Sequence, residues 1–207
     1  MTIKAVIFDL GGVVMESPMD ILADFENRNG LEPGFINRLI ADAGNHGAWA
    51  RLERGEIPMD EFFDAFDREI QSAGARIHSR DIMGAINDYL QVRPEMLEAI
   101  RQLRQAGYLV AALTNNWAMD DDVSSLMAEF KKEFDVFIES SQEGLAKPDP
   151  RIYEKVLDAL GVAAKEAVFL DDIGRNLKPA RQMGMTTIKV ASPADALARL
   201  RGILKLP

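Results

Sequence analysis

The sequence predicts an α/β fold: a parallel sheet covered by helices on both faces, with a block of helices inserted between its first and second strands. Three observations carry that prediction. From Pro94 onward, short β-branched runs alternate with helical spacing. Strands of a parallel sheet are buried on both faces, so they read as continuous apolar runs separated by helices. A run of the same kind stands at Ile3–Asp9 (IKAVIFD), and between Ser17 and Leu90 the strand signal vanishes.

The elements follow in order. Ile3–Asp9 is strand one, closed by a glycine pair. Helical spacing covers 18–29, 33–43, 58–73 and 79–90. In the third of these, Met59, Phe62, Phe63, Phe66 and Ile70 recur on one face after Pro58, a helix start. A helix at 94–106 stops at Gly107, and strand LVAAL follows at 109–113. A helix is expected at 119–132, with Asp120, Asp121 and Asp122 in its first turn, where the helix dipole favours negative charge. Strand DVFIES lies at 135–140, a helix at 150–160 stops at Gly161, and strand AVFLD lies at 167–171. A helix at 175–183 stops at Gly184, with Pro179 placed to kink it. Strand TTIKV lies at 186–190 and a last helix at 193–203. The expected architecture is a Rossmann-like core of residues 1–16 and 93–207, with a helical cap of residues 17–92.

Composition narrows the function. At 207 residues, 47% hydrophobic and 28% charged, the chain has globular proportions and is not expected to be disordered. It has no cysteine, which excludes disulfides, cysteine zinc sites, iron–sulfur clusters and a thiol nucleophile. A net charge of −9 argues against nucleic-acid binding. No apolar run reaches the ~18–20 residues of a membrane span, and the first run ends at Asp9 with no cleavage site behind it. A cytoplasmic protein with no membrane partner is expected, as a monomer or homodimer.

In open α/β sheets ligands bind at the carboxyl ends of the strands. Strand one ends in Asp9, strand two in Thr114, Asn115 and Asn116, and strand four in Asp171 and Asp172. The loop after strand three carries Lys147. Singly, each has an ordinary structural use as a cap, a turn or a solvated charge. Together, three carboxylates at two strand ends would repel one another without a cation between them. Hard oxygen ligands without histidine or cysteine suit Mg²⁺. A hydroxyl, an amide and a lysine beside it suit an anionic oxygen group. That set points to phosphoryl transfer, for which an aspartate is a known acceptor.

These residues lie in FDLGGVV at 8–14, ALTNN at 112–116, GLAKPDPRIY at 144–153 and VFLDDIGRNLKPARQMGM at 168–185. Through them the chain resembles the haloacid dehalogenase superfamily. The last two motifs are similar to those of the phosphatase domain of soluble epoxide hydrolases and of the domain fused to some acyl-CoA dehydrogenases. The resemblance implies Asp9 as nucleophile and metal ligand, and Lys147 as the group that holds nucleophile and phosphoryl charge together. It implies Thr114 and Asn115 on the phosphoryl oxygens, with Gly11 and Gly12 beside the substrate in a small flap that continues through Met15–Pro18. Asp172, Asp171 and the Gly11 carbonyl would join Asp9 around Mg²⁺, with Asn176 in support. The implied substrate is a small phosphorylated metabolite.

One departure matters. Phosphatases of this family carry an aspartate two residues after the nucleophile as proton donor and acceptor, and this chain has Gly11 there. General acid–base help is worth ~10²–10⁴-fold. Three readings follow: a phosphatase with a good leaving group or with another acid–base group, for which Glu16, Asp20 and His46 are candidates; a dehalogenase, which the Asp171–Asp172 pair opposes; and a non-catalytic module that binds metal and phospholigand. Within the cap, AGNHGAWARLERGEIP at 43–58 is the distinctive stretch. His46 and Arg51 are its candidates for meeting substrate. Trp49 is expected to pack between cap helices, Arg51 to pair with Glu53 or Glu56 if it is only structural, and Trp117 to lie near the cap.

Overall fold

The computed structural model describes residues 2–89, 91–118 and 128–206. Its five strands, β1 (Ala5–Phe8), β2 (Leu109–Thr114), β3 (Val136–Glu139), β4 (Ala167–Asp171) and β5 (Thr186–Lys189), form one parallel sheet in the order β3-β2-β1-β4-β5. Most of the helix expected at 119–132, including the run Asp120–Asp122, lies outside the described residues, as does Leu90.

Side chains of successive strand residues point to opposite faces, and the two faces carry separate cores. Val6, Phe8, Val110, Ala112, Val168 and Leu170 pack on one side. Met96, Ile100 and Leu103 of the helix Pro94–Gln105 and Leu200 of the helix Pro193–Leu204 cover them. Ala5, Ile7, Ala111, Leu113 and Phe169 pack on the other, against Ile152, Val156 and Leu160 of the helix Pro150–Leu160 and Leu177 and Ala180 of the helix Gly174–Met183. Burial on both faces is why the strands read as unbroken apolar runs.

Between β1 and β2 the chain builds the inserted helical cap around its own apolar cluster. Phe62, Phe66 and Ile70 are fully buried on one face of the helix Met59–Ser72, the face that the spacing predicts. A short helix, Ala48–Glu53, sits inside the stretch read as glycine-rich turns. It is too short to show a helical period, and Gly47 and Gly55 bracket it. Trp117, in the loop after β2, packs its ring edge-on to Trp49, with centroids 5.8 Å apart, and so joins core to cap. Among the described residues no helix is long and apolar enough to cross a membrane.

Register brings the candidate site residues together. Phe8 pairs with Ala112 on one side and Leu170 on the other. Asp9, the next residue, donates its N–H to the Leu170 carbonyl at 2.9 Å and emerges beside Asp171. β1 lies between β2 and β4, where chain connections depart in opposite directions and leave a crevice at the strand ends.

Candidate active site

Asp9 is 6% exposed, Asp171 0% and Lys147 3%. Lys147 Nζ stands 2.8 Å from Asp9 Oδ1 and 2.8 Å from Asp171 Oδ2, a single cation bridging two buried carboxylates. The loop after β3 is held in place from β2. Asn115 Oδ1 accepts from the Lys147 N–H at 2.8 Å, and Asn115 Nδ2 donates to the Lys147 carbonyl at 3.1 Å. The Asn115 carboxamide therefore clasps the lysine's main chain. Asn116 turns the other way, donating to Glu139 and Ser140.

Asp171 is fully engaged. Its Oδ1 accepts from the Ile173 N–H at 2.8 Å, and both oxygens accept from Asn176 Nδ2, at 3.2 and 3.1 Å. Asn176 thus supports Asp171, and buried Tyr153 fixes the Asn176 carbonyl through its hydroxyl at 2.7 Å. Asp172 differs: its Oδ1 is buried and has no hydrogen-bond partner. Asp9, Asp171 and Asp172 each offer a carboxylate oxygen within 4.8 Å of the others. A buried acceptor without a donor is costly, and an orphan carboxylate oxygen in an all-oxygen cluster fits a hard cation such as Mg²⁺.

The electrostatics agree with that fit. Burial pushes Asp9 well above the ordinary carboxylate range. Lys147 pulls against it, and Asp171 and Asp172 add to the rise. Burial and the neighbouring Asp171 push Asp172 up to about 6. Burial opposes charge on Lys147, but Asp9 and Asp171 overcome it and hold the lysine above its ordinary value.

The flap packs tightly over these groups. Gly12 has φ +74°, and a Cβ there would stand 2.2 Å from Asp172 Oδ2. Glycine satisfies both demands. The Gly12 carbonyl accepts from Arg93 at 3.0 Å, and Arg93 also pairs with Glu16 at 3.2 Å. At Gly11 a Cβ would meet the Pro18 ring at 3.1 Å. Thr114 is buried at the end of β2.

The cap candidates fall outside this cluster. His46 is exposed on a single turn of 3₁₀ helix, and Asp20 is exposed on the helix Pro18–Arg28. Arg51 pairs with Glu61 at 3.1 Å, and Arg54 takes Glu56 at 2.6 Å, so the expected pairing of Arg51 with Glu53 or Glu56 is corrected. A cap carboxylate that does reach the core is that of Glu53. Its Oε2 accepts from Asn115 Nδ2 at 3.3 Å, and its Oε1 accepts from Trp49 Nε1 at 3.2 Å. Sequence reasoning assigned Glu53 to a surface ion pair. The overlooked signal is its position four residues after Trp49, on the same helix face.

Comparison with known proteins agrees with the topology. The haloacid dehalogenase-like hydrolase model matches residues 3–184. Acyl-CoA dehydrogenase family member 10 of Mus musculus is 38% identical over 99% of this chain, and bifunctional epoxide hydrolase 2 of Sus scrofa is 35% identical over 98%. The chain spans only 19% and 39% of those two proteins. Phosphatase MT3486 of Mycobacterium tuberculosis is 32% identical, covering 89% of this chain and 86% of its own. A HAD family enzyme of Bacteroides thetaiotaomicron, solved with magnesium and inorganic phosphate, superimposes with a TM-score of 0.62 at 25% identity. That match covers 90% of this chain and 93% of the other. A strand-end aspartate bridged by lysine to an acidic pair, on this sheet order and under this cap, belongs with those matches: the chain is an enzyme of the haloacid dehalogenase-like hydrolase family.

Proposed function

We propose that this hydrolase is a Mg²⁺-dependent phosphatase acting on a small phosphomonoester through an aspartyl-phosphate on Asp9. The observation that carries the reading is the Lys147 bridge between Asp9 and Asp171, set beside the unpartnered Asp172 oxygen. Residues 17–92 would act as the cap and residues 1–16 with 93–207 as the core.

Asp9, Asp172 and the Gly11 carbonyl would hold the metal, with Asp171 beside them. A bound magnesium supplies charge neutralisation at the phosphoryl oxygens. The chain's own residues do the rest. Leu10 N–H and Lys147 both bond to Asp9 Oδ1 and fix the carboxylate's orientation. The ammonium offsets charge that gathers on the nucleophile and the phosphoryl group. The Thr114 hydroxyl, at the end of the adjacent strand, is the side-chain donor for a phosphoryl oxygen. Asn115 serves by positioning Lys147. Most of the rate gain in phosphoryl transfer comes from such placement and charge stabilisation. The three carboxylates disfavour the dehalogenase reading, because a haloacid brings a carboxylate of its own. Phosphate release from a panel of phosphomonoesters, with and without Mg²⁺, tests the reading. Release that requires the metal is expected; a folded protein that releases none would overturn it.

A second expectation concerns metal and pH. Asp172 titrates at about 6 in the fold against an ordinary 3.8. The folded state therefore binds this proton more tightly than the unfolded chain does. Metal-free stability falls as pH rises between those values. Mg²⁺ binds the ionised form. At a hundredfold excess over Kd it adds about 2.7 kcal/mol, which for a chain of this size corresponds to roughly 5–10 °C in Tm. Thermal melts are expected to show that rise at pH 7.5, little of it at pH 5, and none in Asp172→Ala. Equal rises at both pH values would place the metal elsewhere.

A further inference from the structure

We propose that Glu53, carried by the cap, is the acid–base residue of the reaction and takes the place of the side chain that Gly11 lacks. The proposal rests on the phosphatase reading above. Position 11 carries no side chain, and a Cβ there would crowd the Pro18 ring at 3.1 Å, so that ring would have to give way. Glu16 is exposed and paired with Arg93, while Asp20 and His46 are exposed. Glu53 instead points from the cap into the strand-end crevice.

Its connections run through Asn115 to Lys147, the residue that holds the nucleophile. Glu53 Oε2 shares Asn115 Nδ2 with the Lys147 carbonyl, and Lys147 Nζ holds Asp9 at 2.8 Å. Trp49 Nε1 steadies the other oxygen at 3.2 Å. Both bonds to Glu53 are longer than the ~2.8 Å of a strong charge-assisted bond, so either oxygen can exchange its partner for a substrate oxygen. Arg175 and Lys147 are the charged groups that act on this carboxyl from the core, and burial outweighs them. Its pKa therefore stands above that of an ordinary glutamate, and a general acid must hold its proton near working pH.

The step balances. An Asp9 oxygen forms a bond to phosphorus as the bond from phosphorus to the ester oxygen breaks. The electron pair stays on that oxygen, which takes the Glu53 proton and leaves as an alcohol. Glu53, now a carboxylate, accepts a proton from the water whose oxygen attacks the aspartyl-phosphate. Phosphate leaves, Asp9 is restored and Glu53 is reprotonated. Because the acid rides on the cap, proton transfer is available only when the cap is seated on the core.

The test compares Glu53→Gln with wild type on p-nitrophenyl phosphate, whose leaving oxygen needs no proton, and on a primary alkyl phosphate. A loss of ~10²–10⁴-fold in kcat/KM is expected for the alkyl ester, and less than about tenfold for the aryl ester. The wild-type fall in alkyl-ester kcat/KM at high pH should vanish in the variant. The variant should also release a stoichiometric burst of p-nitrophenol, because water attack on the aspartyl-phosphate then lacks its base. Gly11→Asp combined with Pro18→Ala should restore alkyl-ester turnover in the Glu53→Gln background. Equal losses on both esters, or no loss, would overturn the proposal. The chain's two tryptophans, Trp49 and Trp117, pack against each other beside this carboxyl, so their fluorescence reads it without any turnover. A titration with a midpoint above the ordinary ~4.3, absent in Glu53→Gln, is expected. If that titration is present but wild type releases phosphate from no ester, the phosphatase reading has failed, and the acid–base role falls with it. If release is Mg²⁺-dependent and the titration is absent, only the Glu53 assignment has failed.

Discussion

Asp9→Asn is expected to lower phosphate release by ~10⁴-fold or more, the scale seen when a nucleophile is removed, while the fold and its metal-free stability survive. Stability should survive because of the charge count. In the wild-type site one buried ammonium faces two buried carboxylates, and a third carboxylate stands within 4.8 Å. Burial raises the Asp9 pKa in spite of Lys147, so the fold disfavours charge on Asp9. Asparagine keeps an acceptor for the Leu10 N–H and for Lys147, and leaves Lys147 paired with Asp171 alone. The expected result is a variant that melts no lower than wild type without metal, gains less from Mg²⁺, and releases no phosphate above background. Retained release would remove Asp9 as nucleophile. Matched melting curves would separate that outcome from simple unfolding.

The core was legible because its strands are buried on both faces and its helices stop at glycines. Gly107, Gly161 and Gly184 all adopt positive φ at helix ends, the conformation that makes glycine a stop signal. Strand limits agreed within a residue or two, since β-branched runs bounded by charges leave little freedom. Strand order was not legible: no local pattern says that β1 sits between β2 and β4, although that adjacency is what sets Asp9 beside Asp171. The residue types of the acidic cluster and Lys147 were readable as strand-end polar groups. Their contacts with one another were not. Asn115 looked like a ligand for phosphoryl oxygens, yet its carboxamide clasps the Lys147 main chain, a contact between residues 32 positions apart.

The cap was read least well, for a physical reason. Helix Ala48–Glu53 has six residues, fewer than two turns, so neither periodicity nor propensity could reveal it. Without that helix, Glu53 and Arg51 looked like neighbours on a loop, and a salt bridge between them seemed natural. Placed on a helix, residues two apart face different ways. Arg51 turns to Glu61, and Glu53 turns with Trp49 toward the core. The departure at Gly11 was visible in the sequence, but its structural counterpart was not: the Pro18 ring stands 3.1 Å from where a side chain there would begin.

Lys147→Met is expected to cause a large loss of stability. Methionine approximates the lysine's shape and so leaves little cavity. It removes the cation from between Asp9 and Asp171, which stand on adjacent strand ends and are both buried. Breaking a buried pair by removing one partner costs about 3–5 kcal/mol, because an uncompensated charge is left behind. For a chain of this length that is a fall of roughly 6–20 °C in Tm. The sign of its pH dependence follows from the same charges. Without Lys147, the largest influence lowering the Asp9 pKa is gone and burial acts unopposed by it, so the folded state takes up a proton at still higher pH. The penalty is therefore present at pH 7.5 and shrinks as pH falls and Asp9 is protonated. Melts of wild type and Lys147→Met at pH 5 and 7.5 should show the gap narrowing at the lower pH, and Mg²⁺ should recover part of it at the higher one. A gap that ignores both pH and metal would mean that Lys147 acts through packing alone, and the bridge to Asp9 and Asp171 would then lose its place in the electrostatic account of the site.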